Sequence, residues 1–407
     1  MSLSPPEAAQ LVFGAITAFP TEDCPLVSAV GRHLRRNILA DRAMPPFDRV
    51  TMDGFALRAT RDPRSASGPR VLQVEGTPQA AGMMARTLSE HPDACIEVMT
   101  GAVLPKGADA VVPFEDTERE GSRVTLSAEV ATRLQPGAAV HHQGSDHVPG
   151  DIVVRAGTRL SGREIAVAAA CGAASVAVAA LPRIAVVSTG DELVEVASAV
   201  LPHQIRRSND LALRAVLMQA GFPLVQLLHL RDVPAEIEAG LQRVLAECDV
   251  VIATGGVSKG RHDHLPSTLA HLGVKKIFHG VAQRPGKPMW FGLSRRHTPV
   301  FALPGNPVSC FVCLHRYVLP ALLRASGGPA VAPRWVQLAA GLDPHPFLTR
   351  FVPVHLLSQP DGVLQATPDP INTSGDFAGL IGTDGFIELP PQTAFPPRHA
   401  VPFTAWS

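Results

Sequence analysis

Four apolar runs between residues 183 and 307 each end in a loop able to handle charge: RIAVVSTGDEL, VQLLHLRD, VVIATGGVSKGRHD and VFALPGNP. In the first, Asp191 and Glu192 follow Gly190. A helix starting there would offer free N–H groups to a phosphate, while the carboxylates would hold Mg²⁺. The competing reading is an acidic cap on that helix. In the third, Gly255 and Gly256 permit close backbone approach to a pyrophosphate, and Ser258 and Asp263 supply oxygen ligands. Arg284 and Lys287 stand three apart in RPGKP, on a backbone that prolines stiffen, and fixed cations suit an oxyanion. An ordinary Pro-Gly surface turn is the alternative. Pro304 and Gly305 stiffen the LPGNP strand-to-helix junction, where Pro307 is also simply a good first-turn residue.

Four other groups are weaker. Asp48, Asp53 and Gly54 lie in PPFDRVTMDGFA, and Thr100 and Gly101 in VMTGAVLPKGADAVV; either stretch is also a plain hairpin turn. His262 and His264 flank Asp263 like ligands on a strand, but zinc wants four ligands and no partner pair is present, so solvated histidines are expected. Cys310 and Cys313 form a single CxxC around Phe311 and Val312, which reads as buried thiols.

These loops need strands to hold them. Val/Ile/Leu runs separated by helical patterns predict a parallel sheet, doubly wound, with ligands at the carboxyl ends of its strands. Ser208 is placed to cap a helix bearing Leu211, Leu213, Val216 and Leu217 that Gly221 ends, and a second helix runs over Pro234 to Cys248, followed by a strand over Asp249 to Ala253. The fold class is therefore α/β plus β, in several domains. The α/β domain is assigned to 181–328 and an inserted β-rich domain to 46–140. A C-terminal β domain takes 333–407, and a discontinuous helical and extended linker domain takes 1–45 with 141–180. Within the last, the helix beginning at Pro5 and that over Ser161 to Gly172 are expected to pack together.

The chain has 407 residues, with acidic and basic side chains balanced at 36 each, so no global field draws it to nucleic acid or an anionic membrane. Six scattered cysteines make no disulfide framework and fit a reducing cytoplasm. The N-terminus lacks a secretory pattern, and the uncharged stretch from Ile165 to Leu181 reads as a buried helix plus strand rather than a membrane span.

Taken in order, PFDRVTMDGFA, VMTGAVLPKGADAVV, GSDHVPGDIVVRAGT, VVSTGDEL, TGGVSKGRHD, RPGKP and LPGNPVS closely resemble the molybdopterin molybdenumtransferase family, MoeA, over nearly the whole chain. That family includes the E domain of gephyrin. The resemblance implies an elongated four-domain subunit, a homodimer whose active cleft lies between subunits, and magnesium-dependent insertion of molybdenum from molybdate into adenylylated molybdopterin with release of AMP. Encounters with molybdopterin adenylyltransferase and molybdoenzyme maturation factors would follow. Residue by residue it implies catalytic roles for Asp53, Thr100, Glu192, Asp232, Asp263 and Lys287, with Glu192 and Asp263 as Mg²⁺ ligands. Substrate contacts would come from Asp146, Gly190, Gly255, Gly256, Ser258, Arg284, Lys287, Pro304, Gly305, Arg350 and Ser374.

Three departures from the family pattern stand out. His141 replaces an arginine, Arg284 a lysine, and Arg207 an aspartate. The changes at Arg207 and His141 leave open a specialised inactive paralogue, and gephyrin's receptor anchoring leaves open a scaffold. An adenylyltransferase would leave the first 180 residues without a purpose.

Overall fold

The computed structural model describes residues 3–60, 68–257, 264–330, 332–369 and 373–406. The chain forms two compact units, one of Met1–Arg36, Ala156–Gly162 and Ser175–Ser407, the other of Asn37–Arg155 and Arg163–Ala174.

Helix α1 (Pro5–Ala15) opens on a capping box in which Ser4 and Glu7 satisfy each other's backbone N–H groups. Its small buried face, Ala8, Ala9 and Val12, seats in the core of the first unit's α/β sheet. Helix α2 (Gly162–Ala170) falls, after Gly162, in the second unit. α1 packs on the sheet of its own unit, where its alanines allow close approach. The apolar stretch from Ile165 to Leu181 resolves into helix and then strand, since Ser175–Ala179 follows α2 and pairs antiparallel with Thr21–Pro25, but only the strand is buried as expected: in α2 Ala168 alone is buried.

The second unit carries strands β1 (Gly54–Leu57), β2 (Arg70–Val74), β3 (Ala94–Val98), β4 (Ala110–Pro113), β5 (Thr117–Glu120) and β6 (Arg123–Leu126). They run in sheet order β4-β1-β3-β2-β6-β5. Alternate residues of β1 enter two cores, Ala56 with Ile96 and Val98 on one side and Phe55 and Leu57 with Cys95 and Val112 on the other.

The first unit holds β7 (Ile184–Thr189), β8 (Leu193–Val194), β9 (Ile205–Arg206), α3 (Asn209–Gln219), β10 (Val225–Leu230), α4 (Pro234–Glu247), β11 (Val250–Thr254), α5 (Leu265–His271), β12 (Lys275–His279), β13 (Gln283–Arg284), β14 (Trp290–Leu293) and β15 (Pro299–Leu303). Helix α6 (Pro307–Ala325) follows. Six of these strands form one sheet in the order β10-β7-β11-β15-β14-β12. Ile184, Val186, Val250, Ile252, Phe301 and Leu303 face α1, α3 and α6. Ala185, Val187, Val251, Ala253, Val300 and Ala302 face α4 and α5. Strands buried on both sides are what the continuous apolar runs predict.

One correction applies to the sheet. β10, β7, β11 and β15 are parallel, but β14 runs antiparallel to both β15 and β12. The link between β14 and β15 is a turn of residues 294–298, too short for a parallel crossover. Among the described residues α6 is the one helix long and apolar enough to cross a membrane, and most of it is buried in the core.

C-terminal strands β16 (Arg334–Leu338), β17 (Thr349–Ser358), β18 (Leu364–Pro368), β19 (Gly385–Leu389) and β20 (Ala400–Ala405) close into a barrel, because β17 pairs with both β18 and β19. β13 adds to it alongside β17. Phe311 and His315 of α6 pack against Trp406, tilted and edge-on respectively, and Phe311 also meets Phe377 edge-on.

Candidate functional site

The chain leaves β7 toward β10 on one side and reaches β11 on the other, so the loops after β7 and β11 flank the point where the strand order reverses. Here they line a cavity of about 610 Å³ with Gly190, Glu192, Asp232, Gly255, Gly256, Pro304 and Gly305 on its walls. Gly255 (φ +91°) and Gly256 (φ +64°) are left-handed, and a Cβ at Gly255 would lie 2.8 Å from the Thr189 carbonyl oxygen. A Cβ at Gly190 would lie 2.5 Å from Glu192 Oε2, so only glycine lets that carboxylate fold back onto the loop. Among the described residues Thr189 Oγ1, buried, has no hydrogen-bond partner.

No helix follows Asp191 and Glu192. The chain instead enters β8, which pairs with β9, and α3 begins only at Asn209. The expected helix N-terminus, and the acidic cap that competed with it, are both replaced by this ladder, in which Ile205 N–H donates to the Glu192 carbonyl at 2.8 Å. Ser208 stands before α3, but its side chain makes no capping bond. Asn209 works instead, donating from Nδ2 to the Gly305 carbonyl at 2.7 Å and to Thr254 Oγ1 at 3.2 Å, which ties two of the cavity's loops together. Ser258, His262 and Asp263 lie outside the described residues.

Arg207 also lines this cavity. Its Nε and NH2 both donate to Asp210 Oδ2, at 2.8 and 2.5 Å, and NH1 pairs with Glu195. Asp210 is 1% exposed, so the cation that departs from the family pattern neutralises a buried carboxylate within one turn.

A second cavity, about 960 Å³, adjoins the first; Pro288 and Asn306 line both. Arg284, Lys287, Arg350 and Ser374 are on its walls. The register of β13 on β17 sets Arg284 directly opposite Arg350. Like charges so placed repel. Among the described residues none of these three cations has a carboxylate partner; Arg350 donates from NH1 to the Asp343 carbonyl at 2.8 Å. Asn306 Nδ2 donates to Ser374 Oγ at 2.8 Å, and Val308 N–H to the Ser374 carbonyl at 3.1 Å. Beneath the RPGKP loop lies Gln283, fully buried, which accepts from the Tyr317 hydroxyl and donates to the Pro285 carbonyl at 3.1 Å. Burial pushes the Cys310 thiol up to about 12 and the Cys313 thiol higher still, so the CxxC is inert packing under this loop.

Sequence reasoning passed over Asn306, Ser309 and His345, which also line the second cavity. Asn306 and Ser309 were within reach, since LPGNPVS puts an amide and a hydroxyl at a helix start. His345 carried no signal, because an irregular loop positions it.

In the second unit, the antiparallel register of Gly54 with Val98 brings Asp53 and Thr100 to the same end of β1 and β3. Asp53 Oδ1 accepts from Thr100 N–H at 2.6 Å and Thr100 Oγ1 at 2.8 Å, and these two donors hold its carboxyl below the usual range. His141 sits between Arg49 (3.1 Å from Nδ1) and Asp146 (2.9 Å from Nε2). Asp48 Oδ1 accepts from Gln143 N–H at 2.8 Å.

Comparison with known proteins covers nearly all of this. The profile of the MoeA N-terminal region (domain I and II) matches residues 3–172, that of a probable molybdopterin binding domain residues 185–324, and that of the MoeA C-terminal region (domain IV) residues 336–397. A molybdopterin molybdenumtransferase of Synechocystis sp. is 40% identical over 92% of this chain and 93% of its own, and that of Bacillus subtilis 32% identical over 92% and 86%. The crystal structure of a molybdopterin biosynthesis MoeA protein from Pyrococcus horikoshii superposes with a TM-score of 0.81 at 30% identity, covering both chains completely.

Proposed function

The chain belongs to the MoeA family of molybdopterin molybdenumtransferases, and on that footing we propose that it takes adenylylated molybdopterin and molybdate, releases AMP and leaves molybdenum on the pterin dithiolene. The observation that carries this reading is the pair of adjoining cavities, one lined by three cations that form no ion pair among the described residues and the other by glycines and carboxylates. Molybdate is a tetrahedral dianion. The Arg350 and Arg284 guanidinium groups and the Lys287 ammonium supply the charge it needs, and its presence relieves the repulsion between the facing arginines. The Ser374 hydroxyl, already fixed by Asn306, adds a directional contact.

The adenylylated pterin belongs in the first cavity. Gly190, Gly255 and Gly256 let its phosphoanhydride approach the backbone, and Pro304 and Gly305 form the facing wall. Mg²⁺ fits this donor set: Glu192 and Asp232 bring two carboxylates to one cavity, and Mg²⁺ commonly takes one or two carboxylates with substrate phosphates completing its shell. Asp263 would be the further ligand. When bound, Mg²⁺ supplies charge neutralisation at the phosphate oxygens. The chain's own contribution is placement, with Pro288 and Asn306 common to both cavities so that molybdate and pterin meet at one wall.

The active unit in this reading is a homodimer, with Asp53, Thr100 and Asp146 of one subunit serving the cleft of the other, as the family resemblance implies. Six buried, unpaired cysteines suit a reducing cytoplasm. Reconstitution tests the reading: the protein with adenylylated molybdopterin, molybdate and Mg²⁺ is expected to activate a molybdenum-free apoenzyme, and Lys287→Ala to cut activation by roughly 10²-fold. Activation that survives Lys287→Ala and Arg350→Ala alike would move molybdate elsewhere.

A further inference from the structure

We infer that His345 is a specificity-determining donor of the cationic cavity, its imidazole Nε2–H reading an oxygen of the bound oxyanion. This rests on the reading of that cavity as the molybdate site. The ring lines the cavity from the loop that leads into β17. Its Nδ1 accepts two backbone N–H groups, from Phe347 at 3.1 Å and Leu348 at 3.0 Å. A ring nitrogen that accepts carries no proton, so the neutral imidazole holds its hydrogen on Nε2. Among the described residues nothing accepts from Nε2. Nδ1 is thus fully engaged, and Nε2–H is, among the described residues, the ring's one uncommitted donor on a residue that lines the cavity.

The loop itself is held from behind. The His345 carbonyl accepts from Gln392 N–H at 3.1 Å, and Gln392 Nε2 donates to the Pro346 carbonyl at 3.2 Å. On the other flank the Asp343 carbonyl accepts from Arg350 NH1 at 2.8 Å. One short segment therefore sets the positions of a guanidinium and a neutral N–H donor together. Cations attract any dianion of sufficient charge, whereas a donor at fixed reach distinguishes oxyanions by where their oxygens fall. Sulfate has the charge of molybdate and shorter bonds. His345 accordingly contributes to choosing the larger tetrahedral oxyanion rather than to attracting anions in general.

Two substitutions separate this role from bracing. In His345→Asn the amide oxygen takes the place of Nδ1 and keeps the turn to Phe347, while the Nε2–H is lost. In His345→Gln the amide reaches the Nε2 position and the brace is lost. Calorimetric titration of the full-length protein with molybdate and with sulfate, alongside thermal unfolding, reads both. His345→Asn is expected to weaken molybdate binding roughly tenfold, as removal of a bond to a charged group does, with sulfate affinity and Tm close to wild type. His345→Gln is expected to keep most of the preference for molybdate at a lower Tm. Wild-type molybdate affinity and preference in His345→Asn, or loss of molybdate binding that tracks a fall in Tm in both variants, overturns the inference and leaves the cavity assignment standing. A wild-type protein that binds neither anion, or binding unaffected by Arg350→Ala, overturns the cavity assignment itself.

Discussion

At Asp53 two donors from one residue converge on a single carboxylate oxygen, and the consequence is electrostatic. The lowered carboxyl pKa means that the ionised form is favoured by the fold. Its contribution is fully present above the pKa of the unfolded carboxyl and is lost as pH falls through the folded value. Thr100→Val removes the hydroxyl donor and leaves the N–H. The Asp53 carboxyl is expected to titrate closer to its ordinary value, as followed by ¹³C NMR, and an unmoved midpoint would show the hydroxyl to be idle. Thr189 is the opposite case, a buried hydroxyl with no partner among the described residues. Thr189→Val keeps the shape and removes the orphan, so urea unfolding should show a gain of about 1 kcal/mol. The residues of the two cavities were legible in the sequence where charge and glycine punctuated a strand end, as at Gly190, Gly255 and Lys287. His345 was not, because nothing local tells an irregular loop which way its side chains turn.

Among the elements, the strands and helices of the α/β unit could be read from period and punctuation, but their connections could not always. STGDEL looks like the start of a helix, and only the later segment QIRRSN, pairing as β9 with β8, turns it into a strand. The antiparallel β14 follows from the short link to β15, a signal that was present and outweighed by the α/β pattern around it. Two variants test elements directly. Gly54 belongs to a motif that reads as chemical, yet a Cβ there would lie 2.0 Å from the Val112 carbonyl oxygen of the neighbouring β4. Gly54→Ala is expected to destabilise the second unit by about 3 kcal/mol or more through forced separation of β1 from β4, seen as a lower unfolding midpoint. Arg207→Ala strands the buried Asp210, and such a loss typically costs about 3–5 kcal/mol. Restoration of the lost stability by a second change, Asp210→Ala, would confirm that Arg207 acts through this pair; no restoration would assign it another partner.

For the whole molecule, composition and motif order identified the family before any geometry, because seven loops in order are far more specific than any one. What sequence could not supply is the arrangement of the loops, since the meeting of RPGKP with Arg350 depends on a two-residue strand joining a barrel strand 66 residues later, Arg284 to Arg350. All six thiols are buried, so an aromatic disulfide reagent should label none rapidly in the native protein and all six on unfolding. The most direct measurement of the central claim is AMP release from adenylylated molybdopterin by the purified protein, with molybdate and Mg²⁺ each present or withheld. Release that requires both ions is the predicted result. Tight binding of the adenylylated pterin with no release under any of the four conditions would contradict it.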